Sequence, residues 1–344
     1  AALSSITVLL LLQTGGLEIW HLYCLNAFNG LMNTLQQPAA DVTTSLLVPE
    51  KHYQKTSGMR SFSSSLVNIL TPVTATAMLA FTSIQVVIAF DLLTFGVAFI
   101  SLLCFVKIPR VPAEAGKTES VLQSAGSGLR YLKHNRGILH LIFFLAAINL
   151  TASVYSAAFP AMVLSRQGGG EVALGAVNTA VGVAMLAGSI AASLLPAPKS
   201  RVRMVCNTLL LSMSTENFFL AFGRTVPVWC FGAVLGWLCI PVMNANMDVI
   251  LRTHVPIAMQ GRVYAARNTL QFFTIPVGYF LGGLLVDKVF EPLLASQQPE
   301  NLLVLIFGSG KGAGAACLFF ILGIVGVLTC LVFRKDPDIW ALER

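Results

Sequence analysis

The sequence predicts an all-α polytopic membrane bundle with about ten transmembrane helices. Three observations carry this. Of the 344 residues, 56% are apolar and only 11% are charged, less than half of the roughly 25% found in an ordinary soluble domain. The mean hydropathy is +0.76. The apolar residues gather into runs of about 20, the length at which a helix crosses a bilayer. These runs lack the strict alternation of a barrel strand. Only helices and closed barrels satisfy the backbone in lipid, so helices remain. A soluble enzyme is excluded, because so few charges would not keep its surface wet.

In chain order the runs are 1–12, 19–35, 60–81, 86–106, 137–164, 174–195, 202–222, 226–251, 263–286 and 312–333. The first is short. It starts at Ala1 with no basic leader or cleavage site, so the natural beginning is expected upstream. The second carries Asn26, Asn29 and Asn33, followed by Gln36 and Gln37, all within an arc of about 100° on a helix. Around the third run, Ser57, Ser61, Ser64, Asn68 and Thr71 fall in a similarly narrow arc. The fourth is uniformly apolar apart from Asp91. A long basic loop follows, with Pro109, Pro112, Gly116, Gly126 and Gly128, in which 120–135 fits a surface helix.

The run from Gly137 carries Asn149, Thr151, Ser153, Tyr155 and Ser156 before Pro160. The next has the small-residue series Gly175, Val177, Gly182, Gly188 and Ala192, a pattern that permits close helix packing. Run 202–222 holds Glu216 in its outer half. Run 226–251 carries Trp237, Pro241, Asn244, Asn246 and Asp248. Run 263–286 carries Tyr264, Arg267, Asn268 and Gln271 ahead of Pro276, and Asp287 ends it. The last run is apolar throughout.

The net charge of +7 is no nucleic-acid signal, because the basic residues recur between the apolar runs. All but four of the 22 Lys and Arg fall in one set of alternate loops, the exceptions being Arg166, Arg224, Lys288 and Lys311. By the positive-inside rule the basic set faces the cytoplasm, and the C-terminus with it. The organisation expected is 1–107 as a remnant of an N-terminal bundle with four spans, 108–136 as a central cytoplasmic loop, and 137–344 as a C-terminal six-helix bundle. The seven cysteines are scattered in apolar runs, and neither they nor the five histidines form a metal-ligand pattern. Gly308-Ser309-Gly310-Lys311-Gly312 looks like a phosphate loop but lacks the spacing and the strand–helix context of one. No cofactor, metal or catalytic set is expected.

Polar side chains in lipid must face a cavity or a neighbouring helix. Stripes of this length beside uniformly apolar helices favour a wet path ringed by lipid-facing helices. The cavity candidates are Asn26, Asn29, Asn33, Gln37, Ser61, Asn68, Asn149, Tyr155, Trp237, Asn244 and Gln271. Glu216 and Asp91 are candidates to carry a proton, with an ion pair as the plainer alternative. For Asp248 an ion pair is the better reading, because Arg252 follows at i+4 and Arg262 and Arg267 lie nearby.

Three stretches resemble the major facilitator superfamily, in the branch of macrolide-efflux and enterobactin-exporter-like proteins. They are 31–49, with Gln37-Pro38-Ala39 and Leu47-Val48-Pro49; Phe90-Asp91 with Phe95; and 241–268, with Pro241, Asn244, Asp248, Val255-Pro256, Gln260-Gly261-Arg262-Val263 and Arg267-Asn268. Where that family usually has an arginine after the Pro-Ala pair, this chain has Ala40-Asp41. The resemblance implies a twelve-helix protein, of which about ten helices are present, exporting drug-like molecules against protons by alternating access. It implies a plasma-membrane monomer whose partners are the bilayer, a small-molecule substrate and protons, with no nucleic acid. Asp248, Arg262 and Arg267 would then be gate residues. The alternative is a non-transporting membrane remnant or scaffold without its first two helices.

Overall fold

The computed structural model describes residues 2–105, 121–298 and 300–343; the side chains of some helix positions, Asn68 among them, fall outside this set, as does 106–120 of the central loop. Every described element is helical. The first group is α1 (Ala2–Gln13), α2 (Ile19–Leu47), α3 (Tyr53–Phe81) and α4 (Ile84–Phe105). A separate helix, α5 (Val121–His134), lies where the surface helix is expected. The second group is α6 (Arg136–Ser165), α7 (Glu171–Leu194), α8 (Arg201–Phe222), α9 (Val226–Leu238), α10 (Ile240–His254), α11 (Ile257–Phe272), α12 (Thr274–Leu285), the short α13 (Glu291–Ala295) and α14 (Leu302–Phe307), and α15 (Ala313–Arg334), closed by α16 (Pro337–Trp340).

Six stretches of the described residues are long and apolar enough to cross a membrane: α4, α6, α7, α9 with α10, α11 through α13, and α15. α1 is apolar but shorter. α2, α3 and α8 have the length, at 29, 29 and 22 residues, and carry more polar side chains.

Two expected spans are broken. Run 226–251 divides at Cys239, and run 263–286 divides at Phe273 and ends in a π-helical turn, Val286–Phe290. Pro241 sits in the first turn of α10, where its missing N–H costs no helical bond. By contrast, α2 runs straight through Pro38, well past the expected end at residue 35. Neighbouring helices let a membrane helix tolerate the lost bond.

In the second group α6 packs on α12 and α15, and α8 packs on α15, α9 and α10. α7 bridges the groups, packing on both α9 and α3, with Gly188 and Ala192 of its small-residue series buried. Two apolar clusters result. One is built around Phe144, Leu209, Ile250 and Tyr264; the other around Phe159, Trp229, Phe307 and Phe319.

The loops sort onto two sides. On one, the start of α6 meets the chain end, with His140 Nδ1 2.8 Å from Asp336, and the Val202 N–H donates to the Glu343 carboxylate. This side carries Arg136, Arg201, Arg203 and Arg334. On the other, Arg166 and Arg224 donate to the carbonyls of Phe307 and Leu305 at 3.0 and 2.8 Å. The Gly308–Gly312 loop lies here too. The amides of Gly312 and Ala315, which a phosphate would seek, are held by the Glu291 carboxylate at 2.9 and 3.3 Å.

Candidate functional site

Where the two clusters meet, the second group encloses a chamber of about 380 Å³. Asn149 and Tyr155 reach it from α6, Glu216 from α8, Trp237 from α9, Asn244 and Asp248 from α10, and Arg267 and Gln271 from α11. Leu145, Ile148, Leu209, Met213, Met243 and Met247 supply apolar wall. Glu216 is 4% exposed. Its carboxylate accepts the Trp237 indole N–H at 2.6 Å, and Tyr155 lines the same chamber. A carboxylate is a stronger hydrogen-bond acceptor than a neutral group. Gly236 makes the room: a Cβ there would lie 2.6 Å from Glu216 Cβ and 2.7 Å from Oε2. A fixed carboxylate among methionine, leucine and aromatic walls can hold a proton or an organic cation. The Asn149 amide donates to the Gln271 carbonyl at 3.3 Å, and the Thr274 hydroxyl to Ala146 at 3.1 Å, so the break at Phe273 is braced against α6.

A second chamber of about 490 Å³ lies between the groups. Gln37 and Asp41 of α2 and Ser57, Arg60, Ser61 and Ser64 of α3 face Asn244 and Asp248 of α10 and Arg267 and Asn268 of α11. The two chambers share Asn244, Asp248, Arg267 and Phe272 as a common wall. Polar bonds cross between the groups here. The Ser57 hydroxyl donates to Asp248 at 3.1 Å, the Gln54 amide to the Leu195 carbonyl at 3.1 Å, and Arg201 to Gln54 at 3.1 Å; within the second group Arg201 also donates to Asn246 at 3.1 Å. Asp41 is the shared acceptor of a cationic cluster. It binds Arg60, and it lies 4.0 Å from the Arg252 guanidinium, which also covers the Tyr53 ring at 5.5 Å. Arg252 is 6% exposed, and its Nη1 has no partner among the described residues. Arg60 donates to Gln37 as well, at 2.8 Å.

The structure thus brings Asn149, Tyr155, Trp237, Asn244, Gln271 and Glu216 to the first chamber, and Gln37, Ser61 and Asn244 to the second. Asn26 and Asn33 are exposed on α2 and line neither chamber; Asn29 accepts the Ser4 hydroxyl at 3.0 Å. Asp91 is exposed and accepts the Ser5 hydroxyl at 2.8 Å, apart from both chambers. The side chain of Asn68 lies outside the described set.

One expectation is corrected. Asp248 does not pair along its helix with Arg252: it takes Ser57, and Arg252 turns to Asp41. The crossing of α10 over α3, beside α2, offers the arginine a buried carboxylate on a neighbouring helix. The other two arginines also go elsewhere. Arg262 donates to Ser127 of α5 at 3.4 Å, and Arg267 donates to Asn268 at 2.9 Å and covers the Tyr264 ring at 5.4 Å. Asp41, Arg60 and Gln54 were missed. The signal for Asp41 was present: Gln37, Asp41 and Ser45 follow one another at i+4 once the helix continues past Pro38.

Residues 1–278 match the model of the Major Facilitator Superfamily. The chain belongs to that superfamily. Among curated relatives, macrolide efflux protein A of Streptococcus pyogenes is 21% identical over 280 residues, covering 79% of this chain and 68% of the relative. The protein of the same name from Enterococcus faecalis is 21% identical over 269 residues, 76% of this chain and 81% of the relative. Enterobactin exporter EntS of Escherichia coli O127:H6 is 26% identical over 303 residues, 83% of this chain and 67% of the relative. The resemblance read from residues 31–49, 90–95 and 241–268 therefore holds. This superfamily member is a multi-pass membrane transporter, not an enzyme, and works between a bilayer and a small-molecule substrate.

Proposed function

We propose that this protein is a secondary active efflux transporter that exports amphipathic, drug-like molecules by alternating access, coupled to protons. The observation that carries the reading is the buried Glu216 carboxylate, held by Trp237 inside a largely apolar chamber. Substrate sits in that chamber and contacts Asn149, Tyr155, Trp237, Asn244 and Gln271. Glu216 exchanges a proton against it. Asp91, exposed beside α1, takes no part in this scheme. The polar chamber is the gate. Asp248 and Arg267 stand in the wall common to both chambers, Arg262 joins α11 to the linker helix, and the Asp41 cluster latches the two groups together.

In this reading α1, α2, α3 and α8 also cross the bilayer, making ten spans. Residues 1–107 and 137–344 form two bundles that rock about the chamber, joined by the cytoplasmic 108–136. The basic side, with the C-terminus, is cytoplasmic, and the protein acts as a monomer in the plasma membrane. The relatives named for macrolide and enterobactin export support the direction of transport.

The test is a susceptibility panel on cells expressing the complete gene, with wild type against Glu216→Gln. The wild type should raise resistance to at least one amphipathic compound, with export that depends on external pH. The Gln variant should lose that dependence. A retained pH response removes Glu216 from the mechanism. For the gate, Asp248→Asn at equal expression should shift the labelling of single cysteines on the two sides; unchanged labelling counts against it.

A further inference from the structure

A third concavity serves neither chamber. A groove of about 880 Å³ runs between the last turns of α5 and the first turns of α6. Arg130, Lys133, His134 and Arg136 give it a cationic wall, and Leu129 and Leu139 an apolar one. The sequence holds no acidic residue between Glu119 and Glu171. Arg130, Lys133 and Arg136 have no ion-pair partner among the described residues. The nearby acids, Asp336 and Asp338, lie 2.8 and 3.6 Å from His140 Nδ1 at the end of the groove, so that histidine is engaged.

The other face of α5 is fastened to the second group. Leu132 is fully buried. The Tyr131 hydroxyl donates to the His254 carbonyl at 3.0 Å, and Arg262 donates to Ser127. Gly128 lets the α11 backbone come close, for a Cβ there would lie 2.7 Å from the Arg262 carbonyl oxygen. The exposed face therefore cannot turn inward. It presents Leu129, 48% exposed, beside three cations without an ion-pair partner among the described residues, and the apolar helix α6 starts at Arg136, two residues after α5 ends. The pairing of an apolar wall, Leu129 and Leu139, with a cationic one suits the edge of a bilayer. Stems of Lys and Arg lie along acyl chains while their heads reach the phosphate level.

We propose that this groove binds an anionic phospholipid, with its phosphodiester among Arg130, Lys133 and Arg136 and its acyl chains along Leu129 and Leu139. A zwitterionic lipid brings its own ammonium to the same cations and is disfavoured. Because α5 is bonded to the α10–α11 turn and to Arg262, an occupied groove holds that turn in place. The proposal rests on the membrane placement of the helices and not on the transport reading, so the test measures lipid and not export.

The full chain is purified in detergent, stripped of lipid and titrated with phosphatidylglycerol or phosphatidylcholine, and bound lipid is counted by native mass spectrometry. Wild type should retain phosphatidylglycerol preferentially, less so at high salt. The triple variant Arg130→Gln, Lys133→Gln, Arg136→Gln should bind it roughly a hundredfold more weakly. Should the triple variant misfold, Lys133→Gln alone should weaken binding by a smaller factor. Lys199→Gln with Arg203→Gln, equally basic positions on the same side, should change nothing. Equal retention of the two lipids, wild-type binding by both groove variants, or displacement by millimolar inorganic phosphate would each overturn the proposal, the last by marking a free-anion site instead.

Discussion

The two helix groups are held by different forces. From α6 onward the buried side chains are overwhelmingly apolar and form two continuous clusters. In the first group, among the described residues, the buried polar and charged side chains are Ser4, Asp41, Ser45, Ser57 and Ser65, and Tyr53 is the buried large apolar one. Helix α4 shows the contrast at its sharpest: it is apolar apart from a few polar residues such as Asp91, yet none of its described side chains is buried, whereas more than half of the apolar stretch of α6 is inside. Between membrane helices the lipid removes the water-driven hydrophobic term, and what resists separation is the van der Waals contact of closely interlocked apolar faces. A hydrogen bond exchanged with water yields only about 1 kcal/mol. The contact between the groups, made through Ser57–Asp248, Ser65–Ser189 at 3.4 Å, Gln54–Leu195 and the Asp41 cluster, is of the second kind. On the transport proposal it is this surface that parts and re-forms, while the second group stays together. In our reading that is the division of labour an alternating carrier needs.

The comparison breaks most easily at Asp41. Asp41→Ala leaves Arg252 buried without its carboxylate, and removing one partner of a buried pair costs about 3 kcal/mol. A lower melting temperature in detergent, with altered cysteine labelling between the groups, is expected; an unchanged melt would show that the cluster does not hold the groups together. Next comes Gly236→Ala, which thrusts a methyl against Glu216 and should cost about 2 kcal/mol by overpacking. It should also blunt any pH response of export, since the carboxylate must move away from Trp237. Trp237→Phe keeps the ring and deletes the donor to Glu216, for a loss of about 1.5 kcal/mol read by thermal unfolding. The smallest effect is Ser57→Ala, about 1 kcal/mol, with the hydroxyl to Asp248 lost. If Ser57→Ala destabilised more than Trp237→Phe, the contact between the groups would be the stronger of the two, and the contrast drawn above would reverse.

Reading the residues in order was enough to see the all-helical membrane class, the side on which basic residues collect and the helix at 121–134. It also singled out Asn149, Tyr155, Trp237, Asn244 and Gln271 as cavity candidates and Glu216 as a candidate proton carrier; that these six line one chamber comes from the structure. These features are local: hydropathy and a 3.6-residue repeat are properties of a segment, whatever it packs against. The end of the second run at residue 35 fell short, because α2 continues through Pro38 and a proline's cost within a helix depends on neighbours. The α2 stripe misled in part for a related reason, since Asn26 and Asn33 share an arc with Gln37 but not a chamber.

Periodicity and charge placement along the chain thus determined what each helix is made of and which of its faces is polar. Only the tertiary structure decided that Arg252 meets Asp41 and not Asp248, that Arg262 reaches α5, and that spans break at Cys239 and Phe273. Those outcomes depend on how helices distant in sequence cross. Crossing geometry is set by the packing of whole faces against each other, and no spacing within one segment encodes it.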